Sequence, residues 1–217
     1  MTLAEAAQRA IDLGGEYSGE ALPEDINDMT RRSASAMAGT GLIGVARDNL
    51  PAEGTPPAFT ASFVKLDVDI ETGKVTIHDY LCVADCGRVM HPQNLGTQIN
   101  GGSVQGFGMA LTERHVHDPQ MGREANRALY TSKPPTYLDV PAHMDWAAVD
   151  IPDPVNPVGA RGVGEPPMGS AAAAVACAIS DALDGHLFHR SPIVPDMIVN
   201  FASGEAPSHG RLDVNTQ

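Results

Sequence analysis

Cysteine is scarce in this chain: three residues among 217, at positions 82, 86 and 177. An odd, irregularly spaced set does not make a disulfide framework, and it fits a reducing compartment. Three thiols also fall short of the four that an ordinary iron–sulfur cluster takes. Positive charge is short as well. Fourteen Lys and Arg stand against 27 Asp and Glu, a net charge of −13 with histidine neutral. Nucleic acid and anionic membranes need a basic face, so neither is the expected main partner. A small anion held by backbone N–H groups stays compatible with this charge. No apolar run reaches the roughly 18 residues of a membrane span. The start, Met1 to Glu5, lacks the basic and apolar segments of a signal peptide, so a cytoplasmic location is expected. What the chain does have is 22 Gly, 17 Pro and 42% hydrophobic residues. That is a globular composition, sized for one to one and a half domains.

Leu3, Ala6, Ala7, Ala10 and Leu13 recur at helical spacing and predict a helix over 2–13. Thr2 and Glu5 suit a capping box, and Gly14-Gly15 a stop. Residues 16–58 read as irregular chain with room for one short helix, lying across something else. Val64, Leu66, Val68 and Ile70 alternate with Lys65, Asp67 and Asp69, which predicts a half-buried strand. Glu71-Thr72-Gly73-Lys74 is a turn with Gly where positive φ is needed. Val75 and Ile77 share one face of the returning strand, and whether Asp79 joins them is open. Residues 98–113 read as a helix despite four glycines, each worth about 1 kcal/mol against Ala. Close approach to another element or a ligand is the usual reason for such a run. Seven prolines make 118–160 turn-rich. A small-residue helix follows from 167 to 184, ended by Gly185, then a short helix over 196–201. Residues 203–217 read as a loose polar tail, and no internal repeat is found.

Three motifs have plain alternatives. Gly39-Thr40-Gly41-Leu42-Ile43-Gly44 has the G-x-G-x-x-G spacing of a dinucleotide loop, but no β run precedes it, so a small-residue turn or tight helix contact fits better. His115 and His117 have the spacing of a metal clip on a strand, yet no third ligand is obvious, which favours surface histidines. Cys82 and Cys86 read as two partly buried thiols before they read as a redox pair. The strongest constellation is Gly162-Val163-Gly164-Glu165-Pro166-Pro167, directly before the Ala-rich helix. Pro167 suits a first helical position. Glu165 then sits where the helix N-terminus favours an ionised carboxylate, beside backbone left bare by Gly162 and Gly164. Two roles stay open there: a general base, or a cap for the helix.

This motif resembles the catalytic-glutamate segment of the xanthine oxidase family of molybdenum hydroxylases. Other segments are similar, in the family's order. Phe63–Asp69 with Glu71-Thr72-Gly73 resembles its strand and turn. Ala84-Asp85-Cys86-Gly87-Arg88-Val89-Met90-His91-Pro92 resembles its D-x-G-x-x-x-N-P segment, with His91 where Asn is usual. Gln98 to Glu113 resembles its glycine-rich cofactor helix, and Thr136-Tyr137-Leu138-Asp139-Val140-Pro141 its T-x-x-D-x-P. The match covers roughly 55–201, with a weaker one before it. Arg161 departs from a common Lys, keeping the charge and changing the hydrogen-bond geometry.

The resemblance implies an α+β fold: the C-terminal part of a molybdopterin-binding subunit, with a β-hairpin or sheet and packed small-residue helices. It implies three regions: 1–54 lying on a partner chain, 55–202 binding cofactor, and a tail over 203–217. The activity implied is hydroxylation, with oxygen from water, of an aldehyde, heterocycle or other activated carbon. Glu165 maps to the general base, Gln98 to a glutamine on the pterin, and Gly164 to backbone beside the molybdenum. Gly101, Gly102 and Gln105 map to the cofactor helix. No side chain is assigned as a metal ligand, because in this family the pterin holds the metal. The cofactor is a molybdenum pterin, carrying a nucleotide in some members. Iron–sulfur and FAD groups are expected on partner subunits. The family's molybdenum subunit is several times longer, so either a separate chain carries its N-terminal part or this is a truncated paralogue. Hydration of an activated double bond and a non-catalytic scaffold or assembly module are the alternatives.

Overall fold

The computed structural model describes residues 1–14, 17–19, 22–24, 26–39, 41, 43–45, 57–155 and 158–208. They group into two compact units, Met1–Thr55 and Pro56–Gln217.

In the first unit, helix α1 (Leu3–Gly14) opens with the expected capping box. The Thr2 amide donates to Glu5 Oε2 at 2.7 Å, and the Glu5 amide to Thr2 Oγ1 at 3.2 Å. These bonds satisfy two donors that the helix cannot. Gly15, the expected stop, lies outside the described residues. Helix α2 (Asp28–Ala36) is the short helix of the irregular stretch, capped by Asn27 Oδ1, which accepts from the Thr30 amide at 2.9 Å. Gly39 and Gly41 follow α2 in a turn, both at positive φ. A dinucleotide loop would follow a strand. Thr40 and Leu42 of that motif lie outside the described residues, as do 209–217 of the polar tail.

In the second unit the hairpin is present. Strand β1 (Phe59–Val68) pairs antiparallel with β2 (Val75–Asp85). The turn is held by the Asp69 carboxylate, whose Oδ1 accepts from the Glu71 and Thr72 amides at 2.9 and 3.2 Å. Gly73 has φ +71°, and a Cβ there would come within 2.5 Å of Pro195 Cα, so the turn also presses on a later helix. The register shifts at one point: Leu66 faces Ile77 but Lys65 faces Asp79, leaving His78 as an extra residue. This bulge reverses the parity of β2. Val75 and Ile77 point inward before it; Tyr80, Cys82 and Ala84 point inward after it. Asp79 therefore leaves the face of Val75 and Ile77 and lies 3.8 Å from Lys65 Nζ across the outer face.

Helix α3 (Pro92–Leu111) starts six residues before the expected helix. Pro92 needs no N–H partner at the first turn. His91 caps it, Nδ1 accepting from the Asn94 amide at 3.2 Å. The His-for-Asn departure thus keeps a side-chain acceptor at the same place. The chain then runs through a short helix α4 (Leu129–Ser132) and a single 3₁₀ turn (Tyr137–Asp139). Leu129, Tyr130, Tyr137 and Leu138 are exposed there.

The turn-rich reading of 118–160 requires a correction. Strand β3 (His143–Ala148) pairs parallel with β2, Asp79 opposite His143 through Ala84 opposite Ala148, and completes a sheet of order β1-β2-β3. Trp146 from β3 packs over Gly96 of α3: a Cβ at Gly96 would lie 2.6 Å from Trp146 Cε2.

Helix α5 (Pro166–Ala182) and helix α6 (Pro195–Ser203) complete the unit. Ala171, Val175 and Ile179 recur on one face of α5 and are fully buried, with Tyr80, Cys82, Ile99, Phe107, Ile193 and Ile198 around them. The core is thus an α+β layer: α3 and α5 side by side on one face of a mixed sheet. Among the described residues no helix is long and apolar enough to cross a membrane.

Candidate functional site

Glycine decides which face of α3 does what. A Cβ at Gly102 would lie 2.8 Å from the Gly164 carbonyl oxygen and 3.3 Å from Pro167 Cβ. A Cβ at Gly106 would collide with the Met168 carbonyl and lie 2.7 Å from Ala171 Cβ. These two glycines let α3 and α5 touch backbone to backbone. Gly101 differs, because nothing stands within 4 Å of where its Cβ would be. It lies on an exposed stripe with Gln98 and Gln105, three and seven residues from Gln98 along the helix. Such residues share one helical face.

The second wall of the site is the loop Gly162–Glu165 and the first turn of α5. Gln98 Oε1 lies 3.4 Å from where a Gly164 Cβ would stand, so the Gln98 side chain reaches that bare backbone. Glu165 occupies the N-cap position of α5, but its backbone is helical (φ −93°, ψ −34°) and its side chain makes no capping hydrogen bond. The sequence explains why. Pro166 and Pro167 have no N–H, so the first two helical positions offer nothing to cap. The third, the Met168 amide, is taken by the Glu165 carbonyl at 3.0 Å. The carboxylate is left exposed and without a helical duty.

Behind this loop stands Arg161. Its Nε donates to Asp153 Oδ2 at 2.7 Å, its Nη1 to Asp85 Oδ2 at 3.3 Å, and its backbone N–H to the Cys86 carbonyl at 2.7 Å. The Asp153 side chain is 3% exposed and that of Arg161 16%. The hydrogen bond to Asp153 raises the Arg161 pKa further above its already high ordinary value, and the charges of Asp153 and Asp85 add to this. Arg161 thus ties the glutamate loop to the end of β2. Nothing in the sequence pairs Arg161 with Asp85, 76 residues away, or with Asp153, eight residues before it.

The other candidates separate from this site. His115 Nδ1 lies 2.7 Å from Glu124 Oε1, and both histidines of the clip are exposed. Among the described residues no three His, Cys, Asp or Glu are grouped to hold a metal ion. Cys82 and Cys86 are buried free thiols, and burial pushes the Cys86 thiol pKa up. A cavity of about 580 Å³ lined by Arg114, His117, Arg190 and Met197 opens at the far end of α3, at Met109. It includes neither Gln98 nor Glu165. The candidate site is an open surface: Gln98, Gly101, Gln105, Gly164 and Glu165 are all exposed in this chain.

Residues 3–141 match the family described as "Molybdopterin cofactor-binding domain". The matched segment includes Gln98, Gly101, Gly102 and Gln105 and ends before Glu165. The chain is 38% identical over 140 residues to the xanthine dehydrogenase molybdenum-binding subunit of Escherichia coli O157:H7, covering 64% of this chain and 18% of that one. It is 31% identical over 150 residues to the nicotine 6-hydroxylase large subunit of Paenarthrobacter nicotinovorans, covering 68% and 18%. Among solved structures, quinoline 2-oxidoreductase from Pseudomonas putida 86 superposes with a TM-score of 0.61 at 32% identity, over 66% of this chain and 18% of that one. The chain therefore spans about a fifth of the length of the relatives it matches.

Proposed function

Because the chain belongs to the molybdopterin cofactor-binding domain family, we propose that it forms one part of a molybdenum-dependent oxidoreductase, supplying the general base and one wall of the pterin site. The described surface fits such a group. Gly101 and Gly164 leave backbone open, Gln98 and Gln105 offer carboxamides on the same side, and no side chain has to ligate the metal. Gln98 would hydrogen-bond the pterin, with Gln105 and Gly101 along its flank and Gly164 facing the metal end. Gly102 supports this wall from behind by seating α3 on Gly164. When bound, the molybdenum–pterin group supplies the two-electron redox chemistry. Glu165 takes the proton that must leave water for its oxygen to become a nucleophile.

The observation that carries the reading is the freedom of Glu165: a carboxylate at a helix N-terminus that no cap occupies, beside bare Gly164 and Gln98. The remaining four-fifths of a molybdenum subunit, on a partner chain, would close the surface and choose the substrate. Iron–sulfur and flavin subunits would carry electrons away, in a reducing compartment suited to three free thiols. The names of the relatives given above point to N-heteroaromatic compounds as the substrate class, the family resemblance adds aldehydes, and a nucleotide on the pterin is compatible with this open flank.

The test is Glu165→Gln in the purified, molybdenum-containing complex. Xanthine, nicotine, quinoline and benzaldehyde serve as probes, with an artificial electron acceptor. Gln keeps the shape and removes the base, so turnover falls about 10²–10⁴-fold. Metal content and melting temperature stay near wild type. Turnover within a few-fold of wild type would rule out the base role. A chain that purifies without metal or partner chains would point to an assembly module.

A further inference from the structure

Five hydroxyl groups cross the core of the second unit in a continuous line. Ser103 Oγ, on α3, donates to the Ile99 carbonyl at 2.8 Å and accepts from Tyr80 Oη at 2.9 Å. Tyr80 Oη lies 2.7 Å from Ser62 Oγ, and Ser62 Oγ 2.8 Å from Ser170 Oγ on α5. Thr60 Oγ1 lies 2.9 Å from Ser170 Oγ and 3.0 Å from the Pro166 carbonyl. Ser170 Oγ also reaches the Pro167 carbonyl at 3.2 Å. Ser103 and Tyr80 are buried, and Thr60, Ser62 and Ser170 are half-buried.

The protons of this line can be assigned without conflict. Thr60 donates to Ser170, Ser170 to Ser62, Ser62 to Tyr80, Tyr80 to Ser103, and Ser103 to the Ile99 carbonyl. Each hydroxyl then donates once, each except Thr60 accepts once, and the contacts of Thr60 and Ser170 to the Pro166 and Pro167 carbonyls are the ones left without a proton. A line that runs in one direction polarises its own members, so the loss of any one weakens the rest. An apolar contact would slide; a saturated chain of hydroxyls holds a distance and an angle.

The two ends of the line are the two walls of the candidate site. One end is the turn Ile99–Ser103 of α3, next to Gln98. The other is the start of α5, which the line holds through the Ser170 hydroxyl and which directly follows Glu165. Pro166 and Pro167 have fixed φ, so little slack separates that turn from Glu165. We propose that Tyr80, Ser170 and Thr60 are positioning residues: the hydroxyl line they form sets where Glu165 stands relative to Gln98. This rests on the general-base reading of Glu165. None of the three is proposed to touch substrate or cofactor.

The experiment uses the same molybdenum-containing complex. Tyr80→Phe keeps the ring edge-to-face on Phe107, at 4.9 Å and 84°, and removes only the hydroxyl. Ser170→Ala removes the junction. Thr60→Val removes a hydroxyl at constant shape, while Thr60→Ser keeps it. Turnover per bound molybdenum is measured with KM, metal content and melting temperature, and amide hydrogen exchange is followed at Met168–Ala171. Misplacement of a catalytic group by about 1 Å costs on the order of 10²-fold. Tyr80→Phe and Ser170→Ala should therefore lower kcat by about 10- to 100-fold, with KM and metal content near wild type and faster exchange at Met168–Ala171. Thr60→Ser should recover most of the kcat that Thr60→Val loses. Unchanged kcat per molybdenum with a lowered melting temperature would make the line structural only and overturn the proposal. Unchanged exchange at Met168–Ala171 would overturn it as well. If the wild-type complex turns over none of the probes, it is the proposed substrate class that fails, and the exchange data alone then decide whether the line holds α5.

Discussion

Adding one methyl group to α3 at two positions five residues apart should have opposite effects. At Gly101 nothing lies within 4 Å of the new Cβ. Gly101→Ala should therefore only gain helix propensity, about 1 kcal/mol. At Gly106 the new Cβ meets the Met168 carbonyl, lies 2.7 Å from Ala171 Cβ and 3.0 Å from the Ala172 amide nitrogen. Two of those three atoms are α5 backbone, which has no rotamer to change. Overpacking of this kind costs about 1–3 kcal/mol. After the same propensity gain, Gly106→Ala is still destabilised, by up to about 2 kcal/mol. The two variants should differ by about 1–3 kcal/mol, or roughly 2–12 °C in melting temperature for a chain of this size. The assay is urea and thermal unfolding of the chain kept on a solubilising fusion, which holds it from aggregating. The functional half follows from the same open space. Glycine at 101 is not demanded by this chain's own packing, so its reason lies in what covers it. Gly101→Ala should therefore raise the stability of the chain and lower the molybdenum content of the assembled complex. A destabilised Gly101→Ala would refute the geometry of α3. A stabilised variant with full molybdenum content would refute Gly101 as part of the cofactor wall.

Arg161→Gln removes the guanidinium that bonds Asp85 and the buried Asp153, so it should lower the melting temperature and speed amide exchange across 158–165, with Arg161→Lys recovering part of the loss; unchanged exchange would remove Arg161 as the tie of the glutamate loop. His91→Ala should cost about 0.5–2 kcal/mol by uncapping α3, whereas His91→Asn should match or exceed wild type, both read from melting curves. Expressed alone the chain should aggregate through the exposed Leu129, Tyr130, Tyr137 and Leu138, and co-expression with the remainder of a molybdenum subunit should rescue it; a soluble monomer with a sharp cooperative melt would count against this.

The hairpin and α5 were legible because each obeys one rule over its whole length: strict alternation in Val64 to Ile70, small residues from Gly169 to Ala178 behind a proline. Strand β3 was not, because His-Met-Asp-Trp-Ala-Ala contains three poor strand formers, Asp145, Ala147 and Ala148, and lies among prolines. Its partner β2 supplies the pairing, and that is tertiary information. The start of α3 was hidden by the proline that begins it. At the site, Glu165 and the bare glycines around it stood out by local spacing. Whether Glu165 capped α5 was not decidable from a list of residues; it depends on where the Met168 amide finds its acceptor. The hydroxyl line left only a faint trace. Thr60 and Ser62 continue the inward parity of Val64, Leu66 and Val68, which places two polar residues where apolar ones would serve. Their partners come from β2, α3 and α5, and only the assembled fold brings them together.

The extra residue at His78 has a genetic consequence. Deleting that single codon would restore an unbroken ladder, which the backbone would accept readily. The pairs on both sides of the deletion would keep their faces, because Leu66 already faces Ile77 and Lys65 already faces Asp79. Tyr80, Cys82 and Ala84 would still point inward, with Leu81 outward. The strand would survive with its inward hydroxyl in place. An in-frame deletion at this one codon should therefore be milder than deletion of Leu81, which would make Tyr80 and Cys82 neighbours that cannot both point inward; what it removes is a histidine whose own contact is a surface pair with Asp67.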